Sequence, residues 1–202
     1  MLEVKFRMKY KTKRRIILGI SIFLFISLYF FKNTSTLLRI LATLTGLISF
    51  YIFDHYYDAN FELKHYSYIL AFCFFGIFLS PFYFLSENYD KFLHLVIPIL
   101  ISSIIFFIVN KQNLNLRWKI VTTLMFTIGV LTIFEIMEYA LDTLWNFQLQ
   151  GVYIRDITGL EKFNIIIDKN DDTMIDLILG IFGSLIFSFS KIIENWKNKR
   201  KI

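Results

Sequence analysis

Three pairs of ionisable residues stand at helical spacing in or beside long apolar stretches of this 202-residue chain. The pairs are Asp90 with His94, Glu135 with Glu138, and Asp172 with Asp176. Spacings of three and four residues place both members of a pair on the same face of an α-helix. Ionisable side chains are costly inside a membrane, so each pair requires a partner or a function.

Five carboxylates and one imidazole are a ligand set typical of divalent metals. Two carboxylates about 4 Å apart repel by about 4 kcal/mol at an effective dielectric constant of about 20, so five in one pocket require positive charge. Mn²⁺, Fe²⁺, Mg²⁺ and Zn²⁺ all accept such ligands. We therefore predict a divalent-metal site formed by Asp90, His94, Glu135, Glu138, Asp172 and Asp176. Two alternatives to a metal ion remain. The carboxylates could pair with Arg39 or Lys91, or they could be protonated.

Helix ends offer another interpretation for part of this set. Asp90 and Asp172 each open a predicted helix and are candidate N-caps, and Asp176 in the predicted first turn is favoured by the helix dipole. A hydrogen bond to a backbone carbonyl is the alternative interpretation of His94, which lies one turn inside its predicted helix. Glu135 and Glu138 lie towards the C-terminal end of their helix, where the dipole disfavours anions, so they require a cation, a proton or water. Either glutamate is a candidate general base for metal-assisted catalysis.

The composition predicts that membrane helices carry these residues. Hydrophobic residues make up 56% of the chain and charged residues 19%, which excludes a disordered, fibrous or ordinary water-soluble protein. We predict an all-α, polytopic transmembrane helical bundle with a basic tail at 1–15, a membrane domain at 16–193 that includes an outer loop at 142–173, and a basic tail at 194–202. The six predicted spans are Ile16–Phe31, Leu37–Phe53, Ser67–Leu85, Phe92–Asn110, Trp118–Leu141 and Met174–Ile193.

Charge distribution predicts the orientation. With six spans, 16 of the 22 Lys and Arg residues fall on the side of the termini and 11 of the 16 acidic residues fall on the opposite half. The positive-inside rule then places both termini in the cytoplasm. The net charge of +6 is explained by this orientation and by contact with anionic inner-leaflet lipids, without nucleic acid. At about 1.5 Å per residue the three pairs lie about 22 to 26 Å above the inner boundary, which predicts an outward-facing site.

Several other residues have predicted structural roles. Cys73 is the only cysteine and is predicted to be a small packing residue. Gly180 and Gly183 are predicted to allow close approach of the sixth span to a neighbour, and Pro98 is predicted to bend the fourth span. A solvated polar loop, with a second metal site as the alternative, is predicted from Asp54, His55, Asp58, Glu62 and His65.

The segments YDKFLH, FEIMEY and DDTMIDLILGIFGSLI resemble the YjdF-like family of bacterial and archaeal inner-membrane proteins over about residues 65–190. The Asp-Lys-x-x-His pattern is also similar to the VanZ-like family. The first resemblance implies a multi-pass protein of the plasma (cytoplasmic) membrane whose polar motif is carried by the three pairs, and it implies no particular activity. The second implies a cell-envelope role, although the later acidic helices depart from its pattern.

These observations lead to three functional hypotheses. The first is a metal site that supports hydrolysis or group transfer on a lipid or cell-envelope intermediate. The second is a small ion- or proton-coupled transporter. Such a protein requires a polar path to the cytoplasm, and the largely apolar middles of the last three spans argue against one. The third is a non-catalytic assembly factor whose acidic residues pair with Arg39 and Lys91.

Overall fold

The computed structural model describes residues 2–31, 34–145, 149–155 and 163–200, and these residues are predominantly helical. An all-α architecture is thereby confirmed. The helices of the described residues are α1 Leu2–Phe31, α2 Thr34–Tyr56, α3 Leu63–Cys73, α4 Glu87–Val109, α5 Leu116–Trp145 and α6 Lys169–Lys199. The chain divides into two compact units, Met1–Ser80 and Pro81–Ile202.

Among the described residues, four helices are long and apolar enough to cross a membrane. They are α2, α4, α5 and α6. The predicted third span, Ser67–Leu85, is not one α-helix, because α3 ends at Cys73 and is followed by a π-helical turn at Phe74–Phe78 and a 3₁₀ turn at Ser80–Phe84. Pro81 has no N–H to donate and disfavours α-helical geometry at Ser80, which accounts for the end of regular helix there. Six spans and cytoplasmic termini stay predictions.

The first unit has an apolar core between its helices. Leu24 of α1 and Ile40 and Leu44 of α2 form a buried cluster. Cys73 is a free, buried thiol, and a Cβ on Gly46 would lie 2.6 Å from its Sγ. The predicted packing role of Cys73 is therefore confirmed.

A buried polar network also lies in the first unit. Asp54 is fully buried, and its carboxylate accepts hydrogen bonds from Lys13 Nζ, from the Tyr66 hydroxyl at 2.6 Å and from the Phe61 N–H at 3.0 Å. His65 is 1% exposed, and burial lowers its pKa to about 4. The prediction of a solvated polar loop is thus wrong for Asp54 and His65. Lys13 of α1 supplies a cation to Asp54, and His65 Nδ1 accepts a hydrogen bond from the Glu62 N–H at the start of α3.

The second unit packs α4, α5 and α6 against one another. A Cβ on Gly183 would overlap the backbone carbonyl of Leu95 in α4, and a Cβ on Gly180 would lie 2.5 Å from Leu131 Cδ1 in α5. The predicted close approach at these glycines is confirmed. Pro98 lies inside α4 and is buried where α6 crosses it.

The connection between α5 and α6 is shorter than the predicted loop at 142–173. Helix α5 continues to Trp145, and α6 begins at Lys169, where the Asp168 side chain accepts hydrogen bonds from the N–H groups of Asn170 and Asp171. Two strands, β1 Val152–Arg155 and β2 Phe163–Ile167, pair antiparallel with Val152 opposite Ile167. The segments VYIR and FNIII therefore form a two-stranded antiparallel sheet.

We expect Gly183→Ala to lower the thermal unfolding temperature in detergent, because the added methyl group forces α6 away from α4. Overpacking of this kind costs about 1–3 kcal/mol. Gly129→Ala is the control, since nothing lies within 4 Å of a Cβ at that position. Equal unfolding temperatures for the two variants would contradict the close packing of α4 and α6.

Candidate functional site

Lys91 is the shared cation of three carboxylates. Its ammonium donates hydrogen bonds to Asp172, to Asp176 Oδ1 at 2.8 Å and to Asp90 Oδ2 at 3.2 Å. The side chains of Asp172 and Asp176 are 4% and 2% exposed, and that of Lys91 is 15% exposed. A positive charge from α4 thus holds two carboxylates from the first turns of α6.

His94 lies one helical turn after Lys91 and faces carboxylates from three helices. Its Nε2 atom is 3.4 Å from Asp90 Oδ1 and 4.0 Å from Asp176 Oδ2. Its Nδ1 atom is 3.7 Å from Glu135 Oε1 on α5. Both ring nitrogens therefore point at negative charge.

Asp90 and Asp176 connect the lysine with the histidine. Each carboxylate places one oxygen at Lys91 Nζ and the other towards His94 Nε2. One potential ligand atom from each of Asp90, His94 and Asp176 lies within 4.8 Å of the other two. Metal ligands about 2.0–2.6 Å from a shared ion have separations of this order.

Glu135 and Glu138 add two further carboxylates from α5. Glu135 is 5% exposed, and its Oε2 atom is buried with no hydrogen-bond partner among the described residues. Such atoms are rare in folded proteins, because an unmade hydrogen bond in the interior is costly. Glu138 is half-buried and interacts electrostatically with Glu135, His94, Asp90 and Asp176.

The cluster has more acidic than basic groups. Its five carboxylates are opposed by Lys91 and His94, so a protonated histidine still leaves an excess of negative charge when all five carboxylates are ionised. Neighbouring anions in a low-dielectric interior repel strongly. The cluster is therefore able to take up a cation or protons.

The segment that follows α5 is hydrogen-bonded to the acidic end of α6. The Gly151 N–H donates to Asp172 Oδ2 at 2.7 Å, and Gln150 Nε2 donates to Thr173 Oγ1 at 3.0 Å. Gly151 has a φ of +89°, a conformation that side chains disfavour. The glycine thus lets the backbone approach Asp172 closely.

Asp142 fixes the same segment from the other side. Its carboxylate is buried and accepts hydrogen bonds from the N–H groups of Leu149 and Gln150 and from Lys169 Nζ at 2.9 Å. Asp142, Gln150 and Gly151 are not among the residues that the sequence pattern predicts for the site. A glycine after an apolar helix predicts a turn, but it does not predict that the Gly151 N–H binds Asp172.

Contacts bring Asp90, His94, Glu135, Asp172 and Asp176 together with Lys91 in one cluster of the second unit, and Glu138 interacts with them electrostatically. The structure corrects one alternative. Ser86 is the N-cap of α4 and Asp168 is that of α6, so the N-cap interpretation of Asp90 and Asp172 is wrong. The placement of Asp176 in a first helical turn is also wrong, because α6 begins at Lys169. Asp172 is instead a partner of Lys91. Arg39, the other candidate cation, lies on α2 in the first unit.

Family comparison agrees with the membrane character of the chain. The chain belongs to the family described as "Predicted membrane protein (DUF2238)", whose model matches residues 7–195. No curated protein and no solved structure matches it. The matched residues include all six predicted site residues.

We expect Lys91→Met to destabilise the protein, because it leaves three carboxylates without their shared cation. Breaking a buried ion pair by removing one partner costs about 3–5 kcal/mol. The matched control is Lys191→Met, which breaks an exposed pair with Glu194 and costs at most about 1 kcal/mol. Thermal unfolding in detergent measures both.

A second substitution tests the reason for this loss. Adding Asp172→Asn to Lys91→Met removes one of the stranded charges and is expected to restore part of the unfolding temperature. If the double variant is no more stable than Lys91→Met, charge compensation by Lys91 is not what holds the cluster.

Proposed function

We propose that this member of the DUF2238 family binds a divalent metal ion between Asp90, His94 and Asp176. The observation that carries the proposal is the convergence of one ligand atom from each residue within 4.8 Å, in a cluster with excess negative charge. Asp90 Oδ1 and Asp176 Oδ2 are the carboxylate oxygens that lie towards His94 Nε2. Mn²⁺, Fe²⁺, Mg²⁺ and Zn²⁺ are the ions that suit this ligand set.

The remaining residues have supporting roles in this proposal. Histidine ligands of metals usually donate their second ring N–H to a carboxylate, which fixes the tautomer and orients the ring. Glu135 faces His94 Nδ1 at 3.7 Å and is suited to that role. Lys91 positions Asp90 and Asp176 by holding the oxygen of each that does not face His94.

The chemistry that fits such a site is metal-assisted hydrolysis or group transfer. A bound ion polarises a phosphoryl or carbonyl oxygen or activates water. Glu138 is half-buried, so it is the stronger candidate general base, whereas Glu135 is only 5% exposed and faces His94. The predicted orientation places the site at the outer face of a bacterial or archaeal plasma membrane, where lipid and cell-envelope intermediates are accessible substrates. The YjdF-like and VanZ-like resemblances support the same setting.

One observation favours a second candidate function. Lys91 already neutralises part of the cluster, as expected for a non-catalytic assembly factor held together by internal ion pairs. In that case the excess charge is removed by protons and no metal is needed. The following experiment separates the two functions.

We expect detergent-purified protein to retain close to one divalent metal ion per chain after dialysis against metal-free buffer, measured by elemental analysis. Asp176→Asn is expected to lose most of the metal, because it removes a ligand carboxylate. Asp171→Asn is the matched control, since Asp171 lies in the same helix and is exposed. Absence of metal in the unsubstituted protein after reloading with each ion, with its fold intact, would favour the ion-pair function.

We also expect metal affinity to fall as the pH is lowered from mildly alkaline to mildly acidic. Metal competes with protons for His94 Nε2 and for the carboxylates, so binding releases protons and acid weakens it. Calorimetric titration in buffers of different ionisation enthalpy measures the number of protons released. A pH-independent affinity with no proton release would exclude His94 as a ligand.

A further inference from the structure

An apolar groove runs between α1 and the end of α3 in the first unit. Its volume is about 460 Å³, within the range of ligand sites in proteins. The walls include Gly19, Phe23 and Leu24 from α1, and Leu70, Ala71 and Phe74 from the α3 segment. We call it the α1–α3 groove.

Two backbone features shape the α1–α3 groove. Gly19 has no side chain, and nothing lies within 4 Å of the position that its Cβ would occupy. At Phe74 the α-helix gives way to a π-helical turn, a feature that is frequent at functional sites. The α1–α3 groove is therefore open at Gly19, where no neighbouring side chain fills it.

One end of the groove is basic. Arg15 lies one helical turn before Gly19 on the same face of α1, and both Arg14 and Arg15 are exposed. Lys13 Nζ lies 4.9 Å from the Tyr66 ring centre, so the segment before Gly19 and the segment before Ser67 lie at the same end. Lys64 is also at this end, where Glu62 offsets its charge.

We propose that the α1–α3 groove binds an acyl chain of an anionic phospholipid whose headgroup lies beside Arg14 and Arg15. The apolar walls match hydrocarbon, and the basic end matches a phosphate-bearing, negatively charged headgroup. The predicted orientation places that end in the inner leaflet, where anionic lipids are concentrated. This lipid site uses residues of the first unit alone and does not rest on the proposed function.

The test uses native mass spectrometry of the full chain in mild detergent, mixed with equal amounts of phosphatidylglycerol and phosphatidylcholine. The unsubstituted protein is expected to retain phosphatidylglycerol. Gly19→Leu fills the groove and excludes about two methylene groups of the lipid, which predicts about tenfold weaker retention. Gly129→Leu is the matched control, because a Cβ there also meets open space.

A second pair of substitutions tests the headgroup contact. Arg14→Gln and Arg15→Gln are each expected to reduce the preference for phosphatidylglycerol over phosphatidylcholine by about fivefold. Ala71→Leu fills the groove from the other helix and replaces Gly19→Leu if that variant does not fold.

Three results would overturn the lipid site. Equal lipid retention by Gly19→Leu and Gly129→Leu would show that bound lipid lies elsewhere. Loss of lipid in the arginine variants without loss in Gly19→Leu or Ala71→Leu would indicate surface attraction alone. A dimer of the unsubstituted protein that dissociates in Gly19→Leu would show that a second copy occupies the groove.

Discussion

The second unit depends on compensating buried charge where α4, α5 and α6 meet. Lys91 serves three carboxylates at once, and two of them come from α6. In a low-dielectric interior, removal of one charged partner is far more costly than at a surface. The position of α6 relative to α4 is therefore tied to this one ammonium group.

Close helix packing and this charge pairing support each other. Gly183 brings α6 against the α4 backbone at Leu95, which lies next to His94 in the chain. That approach puts Asp176, about two turns earlier in α6, within reach of both Lys91 and His94. A side chain at Gly183 would widen the helix pair and separate the carboxylate from its partners.

The hydrogen-bonded segment before β1 limits the freedom of the acidic end of α6. Asp142 binds its backbone, while Gly151 donates to Asp172. Asp172 is thus held by Lys91 on one side and by a backbone N–H on the other. Its oxygens are occupied, which leaves Asp90, His94 and Asp176 as the residues available for a shared ligand.

Some of this arrangement was predictable from the sequence and some was not. Helical spacing placed each ionisable pair on one face, and the apolar runs placed the pairs at a similar depth. The central role of Lys91 was not predictable, because neighbours in sequence point in different directions on a helix and the reach of a long side chain depends on packing. The apolar run predicts a helix that begins at Met174, which makes Asp172 a candidate cap, whereas the structure begins α6 at Lys169 with Asp168 as the cap.

The broken third span shows the same limit of sequence patterns. Its apolar residues satisfied the composition expected of a span, yet the helix geometry changes at Phe74 and again before Pro81. Hydropathy indicates whether a segment is stable inside a membrane, but it does not indicate whether the backbone of that segment is α-helical throughout. The Lys13 and Asp54 pair was missed for a related reason, since 41 residues separate its members.

The most direct measurement of the proposed metal site is pulsed electron paramagnetic resonance of the protein loaded with Mn²⁺ in detergent. We expect the Mn²⁺ signal to show coupling to an imidazole nitrogen, and we expect that coupling to disappear in His94→Gln. A spectrum of fully hydrated Mn²⁺, or nitrogen coupling that persists in His94→Gln, would contradict a metal ion held between Asp90, His94 and Asp176.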